Sequence, residues 1–233
     1  RSTTRVSRAS CSARGTSPRP RKPRPRPRAC SGADLRALAL AALVGVVHVH
    51  HEPSHDSDAP FEEVIAAAHA ARLDFLVLTD HAEPGSGPAL PGVEHAGLHV
   101  DASDHRVLVL VGVELGTADG HLLALDVPEI VPDEGRSGLD VIHDVHALGG
   151  FAVVPHPFTH GGWHDWEAPF DGLEVQNGAS DFRRLVGPLL PLRLLRHLFS
   201  PSSTRRAAWG RPDAELARWD ALLTSGRRVT PFA

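Results

Sequence analysis

From Leu43 the chain alternates between short apolar runs and polar segments with helical spacing. GVVHVH ends a run beginning at Leu43 and predicts a first buried strand through His50. FEEVIAAAHAARL, from Phe61, follows Asp58 and Pro60 and has Glu62 and Glu63 in its first turn, which predicts a capped helix. The strand DFLVLTD comes next, then two β-rich stretches, RVLVLVGVE from Arg106 and HLLALDVPE from His121. Leu139 to Leu148 predicts a helix stopped by Gly149 and Gly150. FAVVPHP and GLEVQN read as strands, Phe182 to Phe199 and Asp213 to Ser225 as helices, and RRVTPFA as a last strand. Strands alternating with helices predict a parallel or barrel-like α/β core.

The first 34 residues do not fit this pattern. They are rich in Arg, Pro and Ser without periodic apolar positions, and predict a disordered basic tail ahead of one folded domain over 35–233. An arm touching nucleic acid, a targeting segment and an extension without function are all open readings of it. The apolar run 35–47 follows this tail and could serve as an export signal or anchor. At 13 residues it is short for a membrane span, and it runs straight into the strand. A cytoplasmic protein is the favoured expectation, an exported or membrane-anchored one the alternative, with membrane contact only if 35–47 is an anchor.

Charge sharpens the division. Arg1–Cys30 holds ten of the 24 basic residues and no acid, which leaves 14 basic against all 28 acidic residues beyond it, a formal charge of -14. Such a folded part is unfavourable for nucleic acid and suits a protein that gathers divalent cations, although an acidic surface is also an ordinary solubility device; a small-molecule substrate is the partner expected. Both cysteines lie in the tail, so a metal site in the domain must be built from His and carboxylates. All 16 histidines fall between His48 and His197.

Several of these histidines stand at strand edges. His48 and His50, one residue apart on a strand, share a face and can chelate. The following loop supplies His51, His55, Asp56 and Asp58. Later strands bring Asp80 and His81 in TDH, Glu114 in GVE, His121, and His156 in PHP. Catalytic groups collect at the C-terminal strand edges of barrel-like α/β folds. By contrast His69 sits mid-helix, His143 and His146 share another helix, and His95, His99, His105 and His197 lie outside any motif. These read as surface or packing histidines. His160 and His164, with Trp163 and Trp166, form a loop that is either a substrate-facing element or a hydrophobic plug.

The ordered series GVVHVHHEPSHDS, LDFLVLTDH, VGVELGTADGHLLALD, VVPHP and GLEVQN resembles the PHP (polymerase and histidinol phosphatase) family from about Val46 onward, and within it the CehA/McbA-type metallohydrolase branch. That resemblance implies a distorted (βα)7 TIM-like barrel and two or three divalent metal ions, Zn, Mn or Fe. It makes His48, His50, Asp56, His81, Glu114, His121 and His156 metal ligands, with His55 the alternative to Asp56. Glu114 would bridge two metals. His48, His50 and Glu114 would hold the first, His81, Glu114 and His156 the second, and Asp56 with His121 a third or an outer position. Glu174 would line the pocket. The implied reaction is phosphoester hydrolysis, in which paired metals about 3.5 to 4 Å apart present a bridging hydroxide. Glu114, Asp80 and His160 are the candidate catalytic groups, the last two for proton transfer. A carbamate or ester hydrolase of CehA type and a non-catalytic metal-binding domain are the alternatives. Members of the family complete the site with a late D-x-H pair, which this chain, ending at Ala233, does not contain. The resemblance therefore implies a barrel incomplete at its C-terminus, with at least one metal held weakly.

Overall fold

The computed structural model describes residues 42–82, 87–159, 162–178, 195 and 211–233. The tail, most of the run 35–47 before its strand, His160 and the predicted helix 182–199 lie outside these residues, apart from Leu195. Nine strands are described: β1 (Gly45–Val49), β2 (Phe75–Leu78), β3 (Gly97–Val100), β4 (Arg106–Val111), β5 (Val113–Thr117), β6 (Gly120–Leu125), β7 (Phe151–Val154), β8 (Gly172–Glu174) and β9 (Thr230–Phe232). The helices are α1 (Phe61–Ala70), α2 (Gly138–Ala147) and α3 (Asp213–Thr224). Among the described residues no helix is long and apolar enough to cross a membrane.

The strands form two sheets, ordered β1-β2-β4-β3 and β5-β6-β7-β8-β9. The α/β expectation holds at this level, but the described residues do not close into a barrel. Three antiparallel pairings, β3 with β4, β5 with β6 and β6 with β7, interrupt the parallel order that the alternating pattern suggested. The stretch RVLVLVGVE is two strands in different sheets, separated at Gly112. Strand β3 had no sequence expectation, because GLHV is too short and too polar to stand out.

In the first sheet α1 covers one face. Phe61, Val64, Ile65 and Ala68 recur at helical spacing and meet Leu76, Leu78, Val107 and Val109. Pro60 precedes the helix, and no side chain caps it, so Asp58 does not play the predicted role. In the second sheet α2 packs Val141, Ile142 and Val145 among Leu115, Leu122, Ala124, Val154 and Leu173. Ser137 caps that helix by accepting a hydrogen bond from the Asp140 backbone N–H. Trp163 is buried against this core and lies edge-on to Phe170, so this one side chain of the loop packs as a hydrophobic plug.

Gly112 lets the chain pass from one sheet to the other. Its backbone N–H donates to Leu78 O at 2.8 Å, and a Cβ there would stand 2.6 Å from the Ala124 carbonyl oxygen and 2.8 Å from Leu125 Cδ2. Ala124 is pinned on both sides by β5 and β7 and cannot withdraw. Gly112→Ala is expected to cost about 1–3 kcal/mol through overpacking, read as a lower urea midpoint. An unchanged midpoint would show that the junction relaxes freely.

Candidate metal centre

The junction also builds the site. Beyond β2 the chain continues along the start of β5: Glu114 N–H donates to Asp80 O at 3.2 Å, and His81 forms a parallel bridge with Glu114. His81, three residues past the second strand, is thereby set beside a buried carboxylate at the head of the fifth. His48 reaches the same point through a bulge. The β1–β2 register shifts between Val47 and Val49, and His48 takes φ 72°. His156, just past β7, also has positive φ, at 25°. Two non-glycine residues in this region of the backbone map carry local strain of the kind that collects at functional sites.

Five imidazoles surround Glu114, whose side chain is only 1% exposed. Oε2 lies 2.9 Å from His48 Nε2, 3.0 Å from His50 Nε2 and 3.6 Å from His81 Nε2. Oε1 lies 2.7 Å from His121 Nδ1 and 3.0 Å from His156 Nε2. The rings follow one another in a closed circuit, His48–His50–His81–His121–His156 and back to His48, with neighbouring centroids 5.0 to 5.4 Å apart. Asp56 stands at the rim, 45% exposed, with Oδ1 3.4 Å from His50 Nδ1 and Oδ2 3.6 Å from His81 Nε2. The Ser54 hydroxyl donates to its Oδ1 at 2.6 Å. The His55 ring lies tilted against His81, with centroids 4.6 Å apart. An open cavity of about 420 Å³ is lined by this group together with Thr159, Asn177 and Gly178.

Outer partners orient several rings. Glu174 accepts from His48 Nδ1 at 3.1 Å, from the His156 backbone N–H at 2.6 Å and from Asn177 Nδ2 at 3.0 Å. With Nδ1 engaged, Nε2 of His48 faces Glu114, the arrangement a carboxylate imposes on a ligating histidine. Thr159 Oγ1 lies 3.0 Å from His156 Nδ1. Glu174 thus supports the ring of imidazoles from behind, which its sequence context did not disclose.

Protonation follows this geometry. Burial alone would lower the His48 pKa, but hydrogen bonds to Glu114 and Glu174 raise it to about 10. Burial would raise Glu114, yet His121, His156, His48 and His50 hold it far below the ordinary carboxylate range. Contact with Glu114 raises His121, whereas burial lowers His81. Burial raises Asp56 less than the Ser54 hydroxyl and the imidazoles of His50, His81 and His55 lower it, so it stays ionised.

Asp80 is placed differently from the other candidates. Its carboxylate is fully buried, with one oxygen accepting from the His51 backbone N–H and the other 2.7 Å from His51 Nδ1. His51, also buried, gave no sequence signal of its own beside the H-x-H pair. Gly92 lies against it so closely that a Cβ would come within 2.6 Å of its ring, and at φ 70° that position favours glycine.

The donor set suits divalent metals. His48, His50 and Glu114; His50, Asp56 and His81; and His81, Glu114 and His121 each offer ligand atoms within 4.8 Å of one another. The first triad is the expected one. In the triad of His81 and Glu114, His121 stands where the expected grouping had His156, and Asp56 groups with His50 and His81. Imidazole and carboxylate together fit Zn, Mn or Fe.

No family model matches the chain. It is 27% identical over 118 residues to an uncharacterized protein of Methanocaldococcus jannaschii, which covers 49% of this chain and 64% of that protein, just under two thirds of its length. It is also similar to the crystal structure of a two-domain protein from Bacteroides vulgatus containing a predicted PHP-like metal-dependent phosphoesterase. There the identity is 22% and the TM-score 0.41, over 57% of this chain and 44% of that one. The functional reading therefore rests on the side chains themselves.

Proposed function

We propose that this chain is a metal-dependent phosphoesterase of PHP type, with its domain spanning 35–233. The observation that carries the proposal is the buried Glu114 carboxylate enclosed by five imidazoles at the floor of an open cavity. A structural salt bridge needs one or two partners, whereas five converging rings around one carboxylate supply the many donors of a multi-metal site. Two or three divalent ions would be held by His48, His50, Asp56, His81, Glu114, His121 and His156, and when bound they supply Lewis acidity and lower the pKa of water at neutral pH.

The chain's own groups do the positioning. Glu174 fixes the orientation of His48, Thr159 that of His156, and Ser54 that of Asp56. Asp80 acts through His51 on the loop behind the H-x-H pair, as a positioning residue and not as a proton donor. Thr159 and Asn177, on the cavity wall, offer polar contacts to a substrate.

A carbamate or aryl-ester substrate is the second reading. One observation favours it: among the described residues no Lys or Arg lines the cavity, so these residues offer a phosphate no guanidinium or ammonium partner. The test is turnover of an aryl phosphate and an aryl ester with added Mn or Zn. Metal-dependent release from the phosphate, at least tenfold faster than from the ester, is expected. The reverse preference would favour the second reading. No turnover of either would leave a non-catalytic metal-binding domain.

A further inference from the structure

Two histidines that looked unremarkable in the sequence meet outside the Glu114 cluster. His69 lies in the last turn of α1, and His105 closes the hairpin between β3 and β4 opposite Asp101. Asp101 N–H donates to His105 O at 3.1 Å, and Asp104 takes φ 65°. This is the three-residue hairpin loop that ends in a left-handed residue. The turn aims one carboxylate. Asp101 Oδ1 accepts from Ser103 N–H at 2.8 Å, from the Ser103 hydroxyl at 2.7 Å and from His105 N–H at 3.0 Å. Those bonds occupy one oxygen and leave Oδ2 directed at the helix, 3.7 Å from His69 Nδ1. His69 Nδ1 and His105 Nδ1 are 3.0 Å apart.

Two nitrogens that close repel unless one of them carries a proton for the other to accept. They can also both direct lone pairs at a cation, and the separation is near the roughly 3.3 Å ligand-to-ligand edge expected of a tetrahedral zinc site with Zn–N bonds of about 2.0–2.1 Å. The three donor atoms lie within 4.8 Å of one another. The Ser103 hydroxyl, ahead of every other influence, keeps the Asp101 carboxyl below its ordinary range and so ionised. Beside the group opens a depression of about 680 Å³ bordered by Ile65, His99, Asp101 and Ser103, which leaves room for water as a fourth ligand.

We propose that His69 Nδ1, His105 Nδ1 and Asp101 Oδ2 bind one zinc-class divalent ion, at a site separate from the Glu114 centre. Two imidazoles and one carboxylate with an open position favour Zn, Co, Ni or Cu over Mg or Ca. Because the ligands come from a helix end and a hairpin turn, the ion would clip α1 to the β3–β4 hairpin, a stabilising and not a hydrolytic role.

The test uses the full chain, stripped of metal and then equilibrated with Zn or Co. Elemental analysis is run on the parent, on His69→Ala with His105→Ala, and on Asp101→Asn, which removes the charge and keeps the shape. One ion fewer per chain is expected in the double variant, with aryl-phosphate turnover unchanged, and at least tenfold weaker Zn binding at this site in Asp101→Asn. In a Glu114→Gln background this site should keep its ion, with intense tetrahedral Co absorption that Asp101→Asn sharply reduces. Parent stoichiometry and parent Zn affinity in folded Asp101→Asn would overturn the proposal, whatever the double variant's folding. A metal-free Glu114 centre would leave the one-ion difference in place, so the two readings fail separately.

Discussion

Glu114→Gln is expected to strip metal from the two triads that contain it and to reduce metal-dependent hydrolysis by more than about 100-fold, the upper end of what loss of an outer-shell partner costs a metal site. The amide nearly matches the carboxylate in shape but loses its charge and turns one acceptor into a donor. Each Glu114 oxygen faces at least two imidazole nitrogens, so either placement of the amide NH2 sets N–H groups against rings that were held by an anion. Two of the three ligand triads contain Glu114 and would lose their only carboxylate. The substitution also removes one of the two anions that keep His48 protonated without metal, so it weakens both states of the site. Metal content and kcat/KM for an aryl phosphate are the readouts. Retained stoichiometry with activity within about tenfold of the parent would remove Glu114 from the centre of the mechanism.

The reason this residue and the five histidines around it could be singled out from sequence, while the partners that orient them could not, lies in what a one-dimensional pattern carries. Apolar runs mark strands, and a His or Glu at the end of a run marks a candidate edge position. His48, His50, His81, Glu114, His121 and His156 are all of this kind, and the structure brings their side chains together. Strand direction has no such mark. Nothing in HLLALD or FAVV says that β6 and β7 run antiparallel, and the helix between them suggested the opposite. Gly112 looks like an interior glycine of one long strand until its tight contact with Ala124 is seen. Side-chain direction at a strand end is equally silent. Asp80 and His81 are adjacent, yet one turns to buried His51 and the other to Glu114. Glu174 and the pair His69 and His105 act through contacts with residues 126 and 36 positions away, a separation that no local spacing rule reaches.

Removing the metals should make the chain's stability fall as the pH rises, and restoring them should offset that fall. Without metal, the His48 proton lies between Glu114 and Glu174 and its pKa is raised to about 10 from the ordinary 6.5. A pKa raised on folding contributes stability that is fully present below 6.5 and is lost as the pH climbs through about 10. The side chain is 5% exposed, so solvent screens little of this, and the loss across that window is on the order of a few kcal/mol. A metal at Nε2 competes with the same proton, so binding strengthens over the same range. At free metal about 1,000 times Kd the gain is about 4 kcal/mol, or roughly 8–16 °C in Tm for a domain of this size. The difference in Tm between metal-loaded and chelated protein should therefore widen from pH 6.5 to pH 9.5. In Glu174→Gln it should widen less, because one of the two carboxylates that hold the proton is gone. A gap of constant size across that range in the parent would mean that His48 carries no proton for the metal to displace.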